Sequence, residues 1–230
     1  MNKVELVYIT PDAINKIDKI ASVCYDSEST GDFRIFRNCM KSGHMSVAEH
    51  SDLTFKITCS RVCSHQLVRH RTGKYTQRSQ RYCNENMFDY YTPRSIKNNA
   101  YAESLYTEIM EKIQDYYSAL TECGIPNEDA RYILPNACET VIYVTMDFRN
   151  FVHFCNERLC VMAQEEIRDI AKEMVRLTIE ACPPNTIEKY CVPKCEAHPI
   201  PCCTEREEKR CGKHKSPKEI MELIKKGEDK

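Results

Sequence analysis

From Leu53 to Asn84 the chain carries seven fixed cations and not one Asp or Glu. They are Lys56, Arg61, Arg69, Arg71, Lys74, Arg78 and Arg81. The whole chain is balanced, with 33 basic against 34 acidic residues. Charge sorted this unevenly leaves the cations repelling one another unless an anion lies among them. The densest part is Arg69-His70-Arg71-Thr72-Gly73-Lys74-Tyr75-Thr76-Gln77-Arg78-Ser79-Gln80-Arg81-Tyr82. Arginine suits phosphate because its planar fork donates two parallel hydrogen bonds. Tyr75 and Tyr82 offer faces that stack on flat rings, and Gly73 frees the backbone between the two arginine groups. A solvated basic loop is the plainer alternative. A nucleic-acid-binding module is another, since cations interleaved with aromatics also suit RNA.

The flanking pattern mixes strands with helices. Val4, Leu6 and Tyr8 suggest a first strand, and Thr10-Pro11 reads as a helix start before Ile14, Ile17, Ile20, Ala21 and Cys24. A short helix is expected over 33–40. Leu53, Phe55, Ile57 and Cys59 alternate with Thr54, Lys56 and Thr58, as in a half-buried strand. Ser60 is placed to cap a helix on which Val62, Gln66 and Arg69 share a face. Residues 100–123 keep the helical period through Leu105, Ile109, Ile113, Tyr116, Tyr117 and Leu120, with Gly124 as the stop. A second helix follows Pro126 and ends at Pro135. Thr140 to Met146 reads as a strand, Asp147 as the cap of the next helix, and Gln164 to Cys182 as an amphipathic helix.

With 42% hydrophobic and 29% charged residues, the composition is that of a soluble globular protein. No apolar run approaches the ~20 residues a membrane helix needs. The N-terminal residues lack a signal-peptide core, so a cytoplasmic location without membrane partners is expected. Fifteen cysteines are read as mainly reduced, buried thiols in the body of the domain. Cys191, Cys195, Cys202, Cys203, Cys211 and His214 fall in a tail from 184 to 230 rich in Pro and Lys. Their spacings are irregular, so no metal is assigned, and reduced surface thiols are preferred over a zinc site. Ser216 to Lys230 reads as a charged helix or a mobile end.

The run Arg69-His70-Arg71, seven residues, then Ser79, with Arg81-Tyr82 after it, resembles the signature of flavin-dependent thymidylate synthases. Thr76 and Gln77 stand where that family has Asn and Glu most often. The resemblance spans residues 9–183 and fades in the tail. It implies an α+β fold, an antiparallel sheet flanked by helices with a helical subregion, in one domain over 1–183. It implies reductive methylation of dUMP to dTMP, with methylenetetrahydrofolate giving the carbon, FAD carrying the hydride and NADPH recharging it. It also implies a homotetramer with shared sites, small-molecule partners and no nucleic acid.

The same resemblance distributes the site residues. Gln66, Leu67, Val68, Arg69, Gln77, Arg78, Ser79, Gln80, Arg81, Arg131 and Arg158 fall to dUMP. Ser46, Arg69, His70, Arg71, Thr72, Gln77, Asp147, Phe148, Arg149 and His153 fall to FAD. His44 and Glu49 support the site, and Arg158 is the catalytic residue that activates the uracil ring. Asp147 and His153 stand where the family usually has Asn.

Overall fold

The computed structural model describes residues 3–197 and 199–228. Its strands and helices run in the order β1 (Lys3–Ile9), α1 (Ala13–Ser22), α2 (Arg34–Lys41), β2 (Asp52–Ser60), α3 (Arg61–Leu67) and β3 (Lys74–Gln77). They continue with α4 (Arg94–Lys97), α5 (Ala100–Glu122), α6 (Asn127–Ala130), β4 (Glu139–Asp147), α7 (Phe148–Arg158), α8 (Glu165–Ala181) and α9 (Pro217–Glu228). The four strands form one antiparallel sheet in the order β1-β2-β4-β3, so the fold is α+β as expected. The final helix agrees with the reading of the chain's end, of which residues 229–230 lie outside those described.

Contacts divide the chain into two compact units. Unit 1 takes the residues up to Val7 and Thr54–Thr145; unit 2 takes Tyr8–Leu53 and the residues from Met146 onward.

In unit 1 the alternation of β2 works as read: Phe55, Ile57 and Cys59 are buried, as are Ile142 and Val144 of β4. Thr54 and Thr145 share a hydrogen bond of 2.9 Å on the sheet's other face. The strand β3 was not foreseen. Lys74 pairs with Thr145 and Gln77 with Ile142, antiparallel, so four residues of the cationic stretch are built into the sheet. Helix α5 keeps its predicted bounds, but Leu105, Ile109 and Tyr116 are exposed. Met110 and Tyr117 are the residues it buries. Met110 joins Phe88 and Cys138 in a small core bordered by Tyr90, Tyr106 and Leu134.

Unit 2 packs α1 through Ile14, Ile17 and Ala21, α7 through Phe148, Phe151 and Phe154, and α8 through Ile167, Ile170 and Met174. Thr10 does not cap α1. Its hydroxyl accepts the Asp52 N–H at 2.9 Å, and the helix starts at Ala13 after Asp12 turns the chain with φ 49°. Because α1 stops at Ser22, Cys24 falls on a 3₁₀ turn and is exposed, not on a core face. Asp18, fully buried, accepts the Phe36 N–H at 2.7 Å and a hydrogen bond from the Ser29 hydroxyl. This ties α2 to α1, since a buried carboxylate needs such donors to remain in the core. Beyond Pro183, Ile187 and Cys191 are buried and Tyr190 stacks edge-on against Phe36. The tail thiols are therefore not all at the surface: Cys191 and Cys203 are buried, and Cys195 and Cys202 are half-buried.

Candidate functional site

The cationic stretch of unit 1 starts from a capped helix. Ser60 accepts the Cys63 N–H at 3.0 Å, the cap the sequence announced. Helix α3 ends at Leu67, so Arg69 does not share a helical face with Val62 and Gln66; it sits on the turn that follows. That turn is held from inside. The Tyr75 hydroxyl lies 2.8 Å from the Leu67 carbonyl and 2.7 Å from that of His70, with one proton shared between them. Tyr75 is thus a staple of the turn, not a stacking platform. Gly73 matters here for space and not for backbone freedom: a Cβ would lie 2.5 Å from the Tyr75 oxygen.

Arg69, Arg71 and Thr72 are exposed, while His70 is buried. Strand β3 then carries the chain about 13 Å, at about 3.3 Å per residue, before Arg78. The cationic motif is therefore split between the two ends of one strand. At the second end the Arg78 N–H donates to the Val141 carbonyl at 2.9 Å, and the Ser79 hydroxyl accepts the Arg81 N–H at 3.2 Å. Gln77, half-buried, donates to the hydroxyls of Ser64 at 2.9 Å and Thr140 at 3.3 Å.

The stretch free of acids in sequence is not free of them in space. Arg78 pairs with Glu85 at 3.4 Å, and Arg81 pairs with Glu128. One acid lies just past the window and the other 47 positions away. Burial lifts the Glu85 carboxyl above its ordinary value despite the pull of Arg78 and Arg61. Arg69 and Arg71 form no ion pair among the described residues. Arg81 also stacks over the exposed Tyr82 ring at 5.4 Å.

Arg131 meets this end of the motif. Its Nε donates to the Glu128 carbonyl at 3.1 Å, so one residue holds both Arg81 and Arg131. Arg131, Gln80, Arg61 and His65 line an open cavity of about 300 Å³ together with Tyr132 and Asn136. Arg61 and His65 were not singled out from the sequence as site residues. Their i, i+4 spacing on α3, which stacks them on one face, was the available signal. Leu67 is fully buried, so its side chain belongs to the core, whereas Val68 is partly exposed.

Unit 2 carries the remaining candidates in two places. His44, Ser46 and Glu49 are exposed on and before a 3₁₀ turn over Met45–His50, and Glu49 pairs with Arg149 on α7. Asp147 caps α7, accepting the Asn150 N–H at 2.8 Å and its side-chain amide at 2.7 Å. Phe148 is 1% exposed and its N–H donates to the Ser51 carbonyl, which places it in the core. His153 is exposed one turn further on. Arg158, in the last turn of α7, lines a second cavity of about 210 Å³ together with Asn156, Cys160, Cys195 and His214.

The family model described as thymidylate synthase complementing protein matches residues 5–184. A flavin-dependent thymidylate synthase of Geobacter sulfurreducens is 39% identical over 212 residues, covering 86% of this chain and 90% of its own. The protein of that name from Pyrococcus furiosus is 40% identical over 190 residues, covering 76% and 78%. Among solved structures, the UMP/dUMP methylase PolB of Streptomyces cacaoi, bound with 5-Br dUMP, matches with a TM-score of 0.70 and 25% identity. That match covers 80% of this chain and 92% of the other.

Proposed function

Because the chain belongs to the flavin-dependent thymidylate synthase family, we propose that it methylates dUMP to dTMP reductively. In this reading FAD is the bound flavin, NADPH the reductant and methylenetetrahydrofolate the carbon donor. The observation that carries it is the cavity of unit 1 lined by Arg61, His65, Gln80 and Arg131. Four polar side chains, two of them guanidinium groups, line one open space of nucleotide scale. A monophosphate there meets donors in fork geometry. Arg81 and Ser79 stand at the same end of the motif and would complete the grip. Gln77 and Arg78 hold the strand end in register.

The residues present fit a flavin. On unit 1, Arg69 and Arg71 are exposed and not ion-paired among the described residues, so two forks remain for a pyrophosphate. Arg69, Arg71 and Thr72 would hold the group there, with His70 fixed beneath them. Within unit 2, Ser46, Arg149 and His153 are the candidates the resemblance gives for flavin contact, with Glu49 orienting Arg149. Asp147 and Phe148 serve by fixing the start of α7. When bound, the flavin supplies the hydride chemistry that side chains lack.

The protein's own tasks are positioning and polarisation. Arg158 would face the negative charge that develops on the uracil ring and stabilise it, as a preorganised cation does. The exposed faces of α5 (Leu105, Ile109, Tyr116) and of the edge strand β1 (Val7, Tyr8) are surfaces that a homotetramer would cover. Action on soluble substrates in the cytoplasm belongs to the same reading. The nucleic-acid alternative has less charge to work with, since Arg78 and Arg81 are paired to acids.

The test is direct. The purified protein should be yellow, bleach with NADPH, and form dTMP from dUMP only when methylenetetrahydrofolate is present. A protein that stays colourless with added FAD and makes no dTMP rejects the reading. Arg158→Ala should fold and keep its flavin but lose turnover of dUMP on the order of 100-fold. Unchanged turnover would remove the role given to Arg158.

A further inference from the structure

The cavity beside Arg158 is walled by thiols that the sequence scatters. Cys160 precedes α8, and Cys195, Cys203, Cys211 and His214 come from the C-terminal segment. Two backbone hydrogen bonds fold that segment on itself: Cys202 N–H to the Cys195 carbonyl at 3.0 Å, and Cys203 N–H to the Lys215 carbonyl at 2.9 Å. The second brings Cys203 next to the neighbour of His214. As a result the ligand atoms of Cys195, Glu196 and His214 lie within 4.8 Å of one another. All three are half-buried.

We propose that Cys195, Glu196 and His214 bind a zinc ion, with a thiol of the same cavity closing its tetrahedron. A tetrahedral zinc shell holds sulfur at about 2.3 Å and nitrogen or oxygen at about 2.0 Å, so its ligand atoms sit about 3.5 Å apart. The three ligand atoms, all within 4.8 Å of one another, need to close by at most about 1.3 Å to reach that arrangement. Thiolate with imidazole selects zinc over magnesium or calcium, which take oxygen ligands. Glu196 is at present shared between Lys213 and His214, the latter at 3.4 Å. Lys213 is well exposed and can swing into water when the ion arrives. The ion would tie the Cys195–Glu196 turn to His214 and so close the segment on itself. Arg158 lines the same cavity, but the tests read metal content and stability and not turnover, so they stand or fall apart from the proposed flavin chemistry.

The test uses the full chain, purified with thiols reduced and dialysed against metal-free buffer, then titrated with Zn²⁺ alone. Elemental analysis should find about one zinc per chain. Replacement by Co²⁺ should give the d–d bands of a tetrahedral thiolate site, which lie to the red of flavin absorption. Cys195→Ser and His214→Ala should each weaken zinc by more than the 10–100-fold that even a supporting partner costs. Cys24→Ser, an exposed thiol elsewhere in unit 2, should leave zinc binding unchanged. A chelator added to the unaltered protein should lower its Tm, a readout that does not depend on any variant folding. The proposal is overturned if the reduced protein takes up no zinc, if Cys195→Ser and His214→Ala bind it as the parent does, or if Cys195 proves to be in a disulfide.

Discussion

The phenol ring of Tyr75 fills the space that a side chain on Gly73 would need: a Cβ there would lie 2.5 Å from the hydroxyl oxygen and 2.7 Å from Cζ. Gly73→Ala must therefore push the ring away and break its hydrogen bonds to Leu67 and His70. Those bonds hold the turn that presents Arg69 and Arg71. Gly73→Ala should lower both stability and flavin retention. Tyr75→Phe, which keeps the ring and removes the hydroxyl, should cost about 1–2 kcal/mol in urea unfolding. If Gly73→Ala unfolds at the parent's urea midpoint, Tyr75 is not the staple described.

Arg81 is tied to Glu128, and an incoming phosphate must compete with that carboxylate. Glu128→Gln removes the competitor but keeps the backbone carbonyl on which Arg131 rests. The pair is exposed, so its worth is under about 1 kcal/mol. The expected result is a KM for dUMP lowered by up to about fivefold, with kcat little changed, at low ionic strength. The gain should fade as salt rises. A raised KM would mean that Glu128 positions Arg81 and does not compete for it.

Cys63 and Cys83 flank the motif without belonging to it. Neither is given a nucleophile's role. The double variant Cys63→Ser, Cys83→Ser should keep most of its turnover, measured as dTMP formed. Cys63 is fully buried, so the hydroxyl placed there should cost about 1–3 kcal/mol of stability. Loss of turnover in a variant with parental circular dichroism would restore a covalent role for one of the thiols.

Much of this architecture is written in local patterns. The alternation of Leu53 to Cys59, the caps at Ser60 and Asp147 and the bounds of α5 follow from side-chain period and hydrogen-bonding residues within a few positions. Strand β3 was hidden because Lys74-Tyr75-Thr76-Gln77 has no apolar alternation. Its strand character comes from pairing with β4, some 70 positions on. The same limit hid Glu128 beside Arg81, and the exposure of Leu105 and Ile109. Periodicity tells which residues share a face, but not whether this chain covers it. The grouping of Cys195 with His214 escaped spacing rules because it is made by the fold of the segment, through backbone hydrogen bonds such as Cys203 N–H to the Lys215 carbonyl.

Glu85 gives the fold a pH signature. It is buried, and desolvation lifts its carboxyl above the ordinary value of 4.5, with Arg78 at 3.4 Å only partly offsetting this. A carboxyl raised in the folded state favours the protonated form there. Its contribution to stability is therefore fully present below pH 4.5 and is lost as pH rises through the folded value. Glu85→Gln mimics the protonated side chain at every pH and removes this dependence. Measured by urea unfolding, the stability of the parent relative to Glu85→Gln should be highest near pH 4 and should fall toward pH 7. The opposite slope would show that the attraction of Arg78 outweighs the loss of water around the carboxylate.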